Sequence, residues 1–225
     1  WLHIVGILIF LNYLYYSKHL HILLAFPNTF YAKLGHKGKF TNDTNVMKEV
    51  QMMMDPSADP YAMPEEGAEE EVATFGAKDV TDLSWVNVMN AYTCTECGRC
   101  TSNCPANLTG KKLSPRKIMM DTRDRAEEIG KNIDANNGTF VDDGKNLFDF
   151  ITKEEVWACT SCNACVQECP VNIDPLAIIV DLRRYLVMEE SKIPAELMTM
   201  NTNIENNQAP WQFSPTDRLN WKDED

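Results

Sequence analysis

Two short runs of cysteine carry the side chains of this chain that are best suited to metal or redox chemistry. All eight cysteines of the 225-residue sequence lie between residues 94 and 169. The pattern C-x2-C-x2-C-x3-C-P occurs once and begins again 65 residues later. The first run comprises Cys94, Cys97, Cys100 and Cys104, and the second comprises Cys159, Cys162, Cys165 and Cys169. Thiolates at this density indicate binding of a soft metal centre.

This spacing is the one that holds [4Fe-4S] clusters in bacterial two-cluster ferredoxins. Three thiolates on a short loop can cover one face of a cluster, whereas the fourth is followed by a proline that ends local helix and lies toward a second cluster. We therefore predict that the two loops exchange their fourth ligands. One cluster is predicted to be bound by Cys94, Cys97, Cys100 and Cys169, and the other by Cys159, Cys162, Cys165 and Cys104.

Zinc sites and disulfides are the alternatives for these cysteines. Pairs of C-x2-C also form tetrahedral zinc sites, but two zinc-binding pairs are normally separated by a longer loop. Disulfides form in oxidising compartments, whereas a cytoplasmic location is expected here from the charges described below. The pattern favours two iron-sulfur clusters over both.

The overall charge excludes one class of function. Thirty-three acidic and 21 basic residues give a formal net charge of -12, which argues against a nucleic-acid binder. No acid-base pair, Ser-His-Asp set or phosphate-binding glycine loop accompanies the cysteines. We therefore expect no catalytic residues in this sequence, and any substrate chemistry on another subunit or on a part of the chain outside this sequence.

The sequence around the cysteines predicts helices. Four N-terminal capping signals precede segments with helical apolar spacing. They are Asp82, Ser114 with Pro115, Thr152 with Glu155, and Asp174 with Pro175. We predict a mainly α fold, in which a transmembrane helix is followed by an α-helical domain containing both cysteine loops.

The transmembrane helix is predicted at the N-terminus. Residues 1–26 are almost entirely apolar, and at about 1.5 Å per residue they would cross a hydrocarbon layer of roughly 30 Å. A cleaved signal peptide is the alternative, but no basic segment precedes the run and no small-residue cleavage site follows it. The run opens at Trp1 without an initiator methionine, so we expect earlier helices to precede it. Lysines at positions 18, 33, 37 and 39 place the following residues in the cytoplasm.

Two histidines on this segment are candidate haem ligands. His3 and His21 are 18 residues apart, which equals five turns of a continuous helix, so both imidazoles would lie on one face about 27 Å apart. Histidine commonly ligates haem iron, and an imidazole inside a membrane is a functional candidate. The alternative is that these histidines, with His19, are polar residues near the helix ends.

The N-terminal segment resembles the final helix of the nitrate reductase gamma-type cytochrome b. The resemblance rests on LHIVGILIFL, YSKHLHI and FPNTFYAKL, between Leu2 and Leu34. It implies that His3 and His21 each ligate one of two b haems, with the second ligands on other helices.

The cysteine region resembles the α-helical ferredoxin domain of heterodisulfide reductase subunits, anaerobic glycerol-3-phosphate dehydrogenase subunits and fumarate reductase iron-sulfur proteins. The segments YTCTECGRCTSNCPANLTGKKLSPRKIM and WACTSCNACVQECPVNIDP, within residues 76–191, are typical of the heterodisulfide-reductase-like branch. The resemblance implies a redox partner with C-C-G-type cysteine-rich domains, which this chain lacks, or a flavoprotein.

These features predict four regions: a transmembrane segment at 1–36, an acidic linker at 37–75, the ferredoxin domain at 76–200 and a C-terminal tail at 201–225. The linker is expected to be extended, because ten acidic residues and only two lysines lie between residues 41 and 80. The tail is expected to dock a partner through Trp211, Phe213 and Trp221, or to fold back on its own domain.

Together the regions predict a membrane-bound electron-transfer subunit. It would carry electrons between b haem, the quinone pool and a cytoplasmic redox partner, with its clusters at the inner face of the cytoplasmic membrane. The alternative is a membrane-anchored iron-sulfur redox sensor or structural subunit without haem.

Overall fold

The computed structural model describes residues 1–17, 19–36, 38–55 and 74–222. These residues form helices joined by loops, which confirms the mainly α prediction. The helices are α1 (Leu2–Tyr15), α2 (Leu20–Phe30), α3 (Thr44–Met54), α4 (Trp85–Thr93), α5 (Arg99–Ser102), α6 (Pro105–Leu108), α7 (Pro115–Ala135), α8 (Lys153–Ala158), α9 (Ala164–Gln167), α10 (Pro175–Met188) and α11 (Ala195–Asn207). Short 3-10 helices lie at Val80–Asp82, Leu147–Asp149 and Pro215–Lys222.

The predicted transmembrane helix is wrong. The apolar N-terminal run forms two helices of 14 and 11 residues, whereas a span needs about 20. Within the described residues, no helix is both long enough and apolar enough to cross a bilayer. The first helix ends at Tyr15 because Tyr16 and Ser17 donate backbone hydrogen bonds to carbonyls three residues earlier, at 3.1 and 3.3 Å, and so close its last turn.

Helix α2 packs against the cysteine-containing region. It lies along α4, and the buried Asn28 donates a 2.8 Å hydrogen bond from its side chain to the carbonyl of Val171. Just beyond α2, Tyr31 meets the Trp85 ring edge-to-face with 4.9 Å between centroids. An amide buried in this way specifies one docking position for the helix.

Both α7 and α10 contribute buried aliphatic side chains to the core of the cysteine-containing region. Ile118 and Met119 of α7 and Ile178, Ile179 and Leu182 of α10 are fully buried. Each fully buried aliphatic side chain contributes roughly 1.5–3 kcal/mol by leaving water. The loops are therefore attached to two helices whose inner faces are fixed.

Three of the four predicted caps are confirmed. The hydroxyl of Ser114 accepts from the Lys117 backbone N–H, Thr152 forms a capping box with Glu155, and Asp174 accepts from the Ala177 N–H at 2.9 Å. The prediction at Asp82 is wrong because Ser84 caps α4 instead. The carboxylate of Asp82 instead accepts from the backbone N–H groups of Lys78 and Asp79, just before the 3-10 helix that Asp82 ends.

The predicted acidic linker is partly helical. Asp43 caps α3, and its carboxylate accepts from the backbone N–H groups of Asn45 and Val46 at 2.9 and 3.3 Å. A strong cap thus begins a helix inside a segment that was expected to be extended. Residues 56–73, which carry most of its acids, lie outside the described residues.

The C-terminal part of the chain, Leu186–Asp225, forms a compact unit of its own. Within it, α11 is followed by Gln208 in a left-handed conformation, and Arg218 donates a 3.3 Å hydrogen bond to the carbonyl of Asn207. The aromatic rings predicted for docking, Trp211, Phe213 and Trp221, are exposed. Partner docking by this tail stays a prediction.

Candidate metal centre

The two cysteine loops begin with the same backbone conformation. Cys94 ends α4 and Cys159 ends α8, both with extended backbone angles. Two residues later, Glu96 and Ser161 adopt positive φ angles of 56° and 55°. Non-glycine residues at positive φ are uncommon and cost about 1–3 kcal/mol, so their recurrence at equivalent places indicates a requirement of the loop.

The third cysteine of each loop lies on a one-turn helix. Gly98 and Asn163, at φ angles of 81° and 60°, begin α5 and α9, which carry Cys100 and Cys165. Glycine and asparagine are the residues that adopt this left-handed conformation most readily. Helices α5 and α9 pack against each other, so the two loops face one another.

One cavity is lined by thiols from both loops. Around it lie the four predicted ligands of the first cluster, together with a thiol of the second loop and apolar side chains that include Met119 and Ile173. The thiols that line it are those of Cys94, Cys97, Cys100, Cys165 and Cys169. The structure therefore brings Cys169 to the first loop, although it follows the second loop in sequence. The exchange of fourth ligands stays a prediction that this placement supports.

The thiols of the second loop are similarly grouped. Burial raises the pKa of the Cys159 thiol, and the neighbouring Cys104 and Cys162 raise it further. Cys104 and Cys165 are buried, whereas Cys162 is exposed, as is Cys97 in the first loop. Each site thus has one cysteine at the protein surface.

The electrostatic surroundings of the thiols suit a cationic centre. Burial raises the pKa of the thiols of Cys94 and Cys100, and it raises the pKa of Cys165 to about 12. The backbone N–H of Ser161 acts in the opposite direction on the pKa of Cys159, because it donates to that sulfur at 3.4 Å. The backbone N–H of Ile173 donates to the sulfur of Cys169 at 3.3 Å. Buried thiolates in this number require metal charge to stabilise them.

The eight cysteine side chains are separate thiols that do not converge on one point. All eight thiols are free. In the described ranges, no three His, Cys, Asp or Glu side chains converge closely enough to hold a single metal ion. Five of the thiols line the cavity described above, and thiolates are the ligands that hold iron-sulfur clusters.

A family comparison decides the nature of this region. Residues 93–173 match the 4Fe-4S dicluster domain. The segment is an iron-sulfur dicluster domain. This confirms the prediction of iron-sulfur clusters, and the match ends just after the second cysteine run.

Curated relatives extend the similarity beyond this domain. The probable iron-sulfur-binding oxidoreductase FadF of Bacillus subtilis is 31% identical over 258 residues, a match that covers 100% of this chain and 33% of the relative. The EtfAB:quinone oxidoreductase of Syntrophomonas wolfei is 33% identical over 174 residues, covering 69% of this chain and 24% of the relative.

A third relative supports the predicted branch. It is one of the subunits of the ferredoxin/F(420)H(2)-dependent CoB-CoM heterodisulfide reductase of Methanosarcina acetivorans, and it is 29% identical over 107 residues, or 47% of this chain and 52% of the relative. The dicluster domain is therefore related to iron-sulfur oxidoreductases and heterodisulfide reductase subunits. The chain spans a third or less of the length of the two bacterial relatives above.

The predicted haem geometry is not formed. His3 lies on α1 and His21 on α2, and the break between the helices removes the continuous five-turn face on which both imidazoles were expected. His21 instead lies near His19, with 6.4 Å between ring centroids. Haem binding by a shared helix face is therefore not supported, and the resemblance to a cytochrome b is not shown.

Sequence reasoning missed two arginines that hold the loops. Arg123 of α7 donates to the carboxylate of Glu96 at 2.9 Å, and Arg183 of α10 donates to the hydroxyl of Ser161 at 3.2 Å. Each therefore contacts the left-handed residue of one loop. An internal alignment of the two long helices, each beginning at a proline, would have found them at the same position.

Proposed function

We propose that this chain carries electrons between a quinone pool at the membrane and a separate redox partner, through two [4Fe-4S] clusters. The observation that carries the proposal is the pairing of two equivalent cysteine loops within a dicluster domain, with three thiols of the first run and two of the second lining one cavity. Two clusters held at adjoining loops are suited to passing electrons along a chain.

The cysteines are proposed to ligate the clusters, and neighbouring side chains and backbone groups to shield and stabilise them. When bound, the clusters supply one-electron transfer; the cysteines hold them in the exchanged sets predicted above. Met119 and Ile173 exclude water from the first site, and the N–H groups of Ser161 and Ile173 stabilise negative charge on sulfur. The exposed Cys97 and Cys162 lie where electrons can enter and leave.

The quinone and the second redox partner are inferred from the relatives. One relative is named as a quinone oxidoreductase and another as an iron-sulfur-binding oxidoreductase, and both are several times longer than the match. The 225 residues contain no consecutive cysteines. We therefore propose that a C-C-G-type cysteine-rich or flavoprotein subunit carries the substrate chemistry.

Membrane association and haem b belong to the same proposal. Helix α1 exposes apolar side chains on all sides, including Ile4, Leu8 and Phe10, and such a surface suits contact with lipid at the inner face of the cytoplasmic membrane. His3 lies on α1 and His21 on α2, and we propose that each ligates a different b haem. A reduced-minus-oxidised spectrum of the membrane-bound complex tests this, and absence of a b-type band would exclude haem.

Electron exchange with a quinol is the direct test of the function. In the membrane-bound complex, duroquinol is expected to reduce both clusters, as measured by electron paramagnetic resonance of rapidly frozen samples. A variant of the complex with Cys97→Ala is expected to lose one cluster signal while retaining the other. Clusters that are present but do not exchange electrons with the quinol would contradict the proposal and favour a sensing or structural role.

A further inference from the structure

The two long helices carry arginines at equivalent positions but in different electrostatic surroundings. Arg123 lies eight residues after Pro115, the first residue of α7, and Arg183 lies eight residues after Pro175, the first residue of α10. Each contacts the left-handed residue of one cysteine loop, which is Glu96 for the first and Ser161 for the second.

Arg183 contacts only neutral groups. Its guanidinium donates to the carbonyl of Val156 at 2.8 and 3.1 Å, to the carbonyl of Cys159 and to the hydroxyl of Ser161. It also lies over the ring of Trp157, 5.1 Å from the centroid. Among the residues that the structure describes, no carboxylate forms an ion pair with Arg183, so a half-buried positive charge lies beside Cys159.

Arg123 contacts two carboxylates. Its guanidinium donates to Glu96 at 2.9 Å and to Asp124 at 3.3 Å. Glu96 occupies the place that the neutral Ser161 takes in the second loop. Glu96 therefore neutralises the positive charge of Arg123 near the first loop.

We propose that Arg183 raises the reduction potential of the cluster bound by the second loop, and that Glu96 cancels the equivalent effect of Arg123 at the first. Reduction adds one electron to a cluster, so a nearby positive charge stabilises the reduced form. This inference rests on the proposed binding of two clusters. Arg99 and Arg116, at the rim of the first cavity, are solvent-exposed, and water and salt screen their charges.

The test compares midpoint potentials in variants of the complete protein, titrated with dithionite under anaerobic conditions and followed by electron paramagnetic resonance. Arg183→Gln is expected to lower one of the two midpoints by about 60 mV, which corresponds to a tenfold change in the ratio of reduced to oxidised cluster. Arg183→Lys retains the positive charge and is expected to shift that midpoint by less than half as much. An unchanged midpoint in Arg183→Gln would overturn the proposal.

Changes at the first loop provide the matched control. Glu96→Gln is expected to raise the other midpoint, and the double variant Glu96→Gln with Arg123→Gln is expected to return it close to the wild-type value. Arg116→Gln, which removes an exposed charge, is expected to cause a smaller shift than Glu96→Gln. A midpoint that does not rise in Glu96→Gln would contradict the proposal, including in the case that Arg183→Gln fails to fold.

Iron and sulfide analysis separates this inference from the proposed function. Wild-type protein without labile sulfide would contradict the binding of clusters itself. Variants that retain iron and sulfide but have unchanged midpoints would contradict only the role of the two arginines.

Discussion

Replacing Cys169 with alanine is expected to remove the cluster of the first loop and to leave that of the second loop in place. Cys169 lines the cavity formed by Cys94, Cys97 and Cys100, although it follows the second loop in the sequence. The iron content should fall from about eight to about four atoms per chain, since each cluster contains four. Anaerobic purification followed by iron analysis and electron paramagnetic resonance measures this loss.

The matched variants identify which cluster is lost. If the fourth ligands are exchanged, Cys169→Ala and Cys97→Ala remove the same resonance signal, and Cys104→Ala and Cys162→Ala remove the other. Loss of the same signal in Cys169→Ala and Cys162→Ala would show that each loop binds its own cluster. The exchange would then be wrong, although two clusters would still be present.

Replacing Arg125 with methionine is expected to destabilise the domain by about 3 kcal/mol, because removal of one partner from a buried ion pair leaves the others unpaired. Arg125 of α7 is fully buried and donates to Asp79 at 2.7 Å, to Asp143 at 2.6 Å and to the carbonyl of Lys145 at 2.9 Å. It thereby joins the segment before α4, the centre of α7 and the loop before α8. The hydrogen bonds from Arg125 hold the pKa of Asp143 at about 2.

Urea unfolding of the anaerobically purified protein measures this effect. Lys112→Met is the control, since Lys112 pairs with Glu154 at 2.7 Å but both side chains are more than half exposed. An exposed pair of this kind contributes little, so no measurable loss is expected there. If the two variants shift the urea midpoint equally, the structural role of Arg125 is wrong.

The features that the sequence predicts correctly depend on neighbouring residues. The caps at Ser114, Thr152 and Asp174 are formed by side chains that bond to backbone groups three residues later. The cysteine runs likewise identify iron-sulfur clusters because their spacing on each loop is local. Such signals are complete within a short window of the sequence.

The sequence does not predict features of the structure that depend on distant contacts or on local breaks in a helix. Apolar composition predicts one long helix, but composition does not register the break after Tyr15. Nor does it register the docking of α2, where Asn28 bonds to a carbonyl 143 residues away. The role of Arg125 is equally invisible in a short stretch of sequence, because its partner Asp79 lies 46 residues away.

Analysis of metal and labile sulfide in the anaerobically purified chain tests the central claim most directly. Two bound [4Fe-4S] clusters predict about eight iron atoms and about eight sulfides per chain, with Mössbauer spectra of four-iron clusters. Zinc in place of iron, without labile sulfide, would contradict the assignment of the eight cysteines and the electron-transfer function that depends on it.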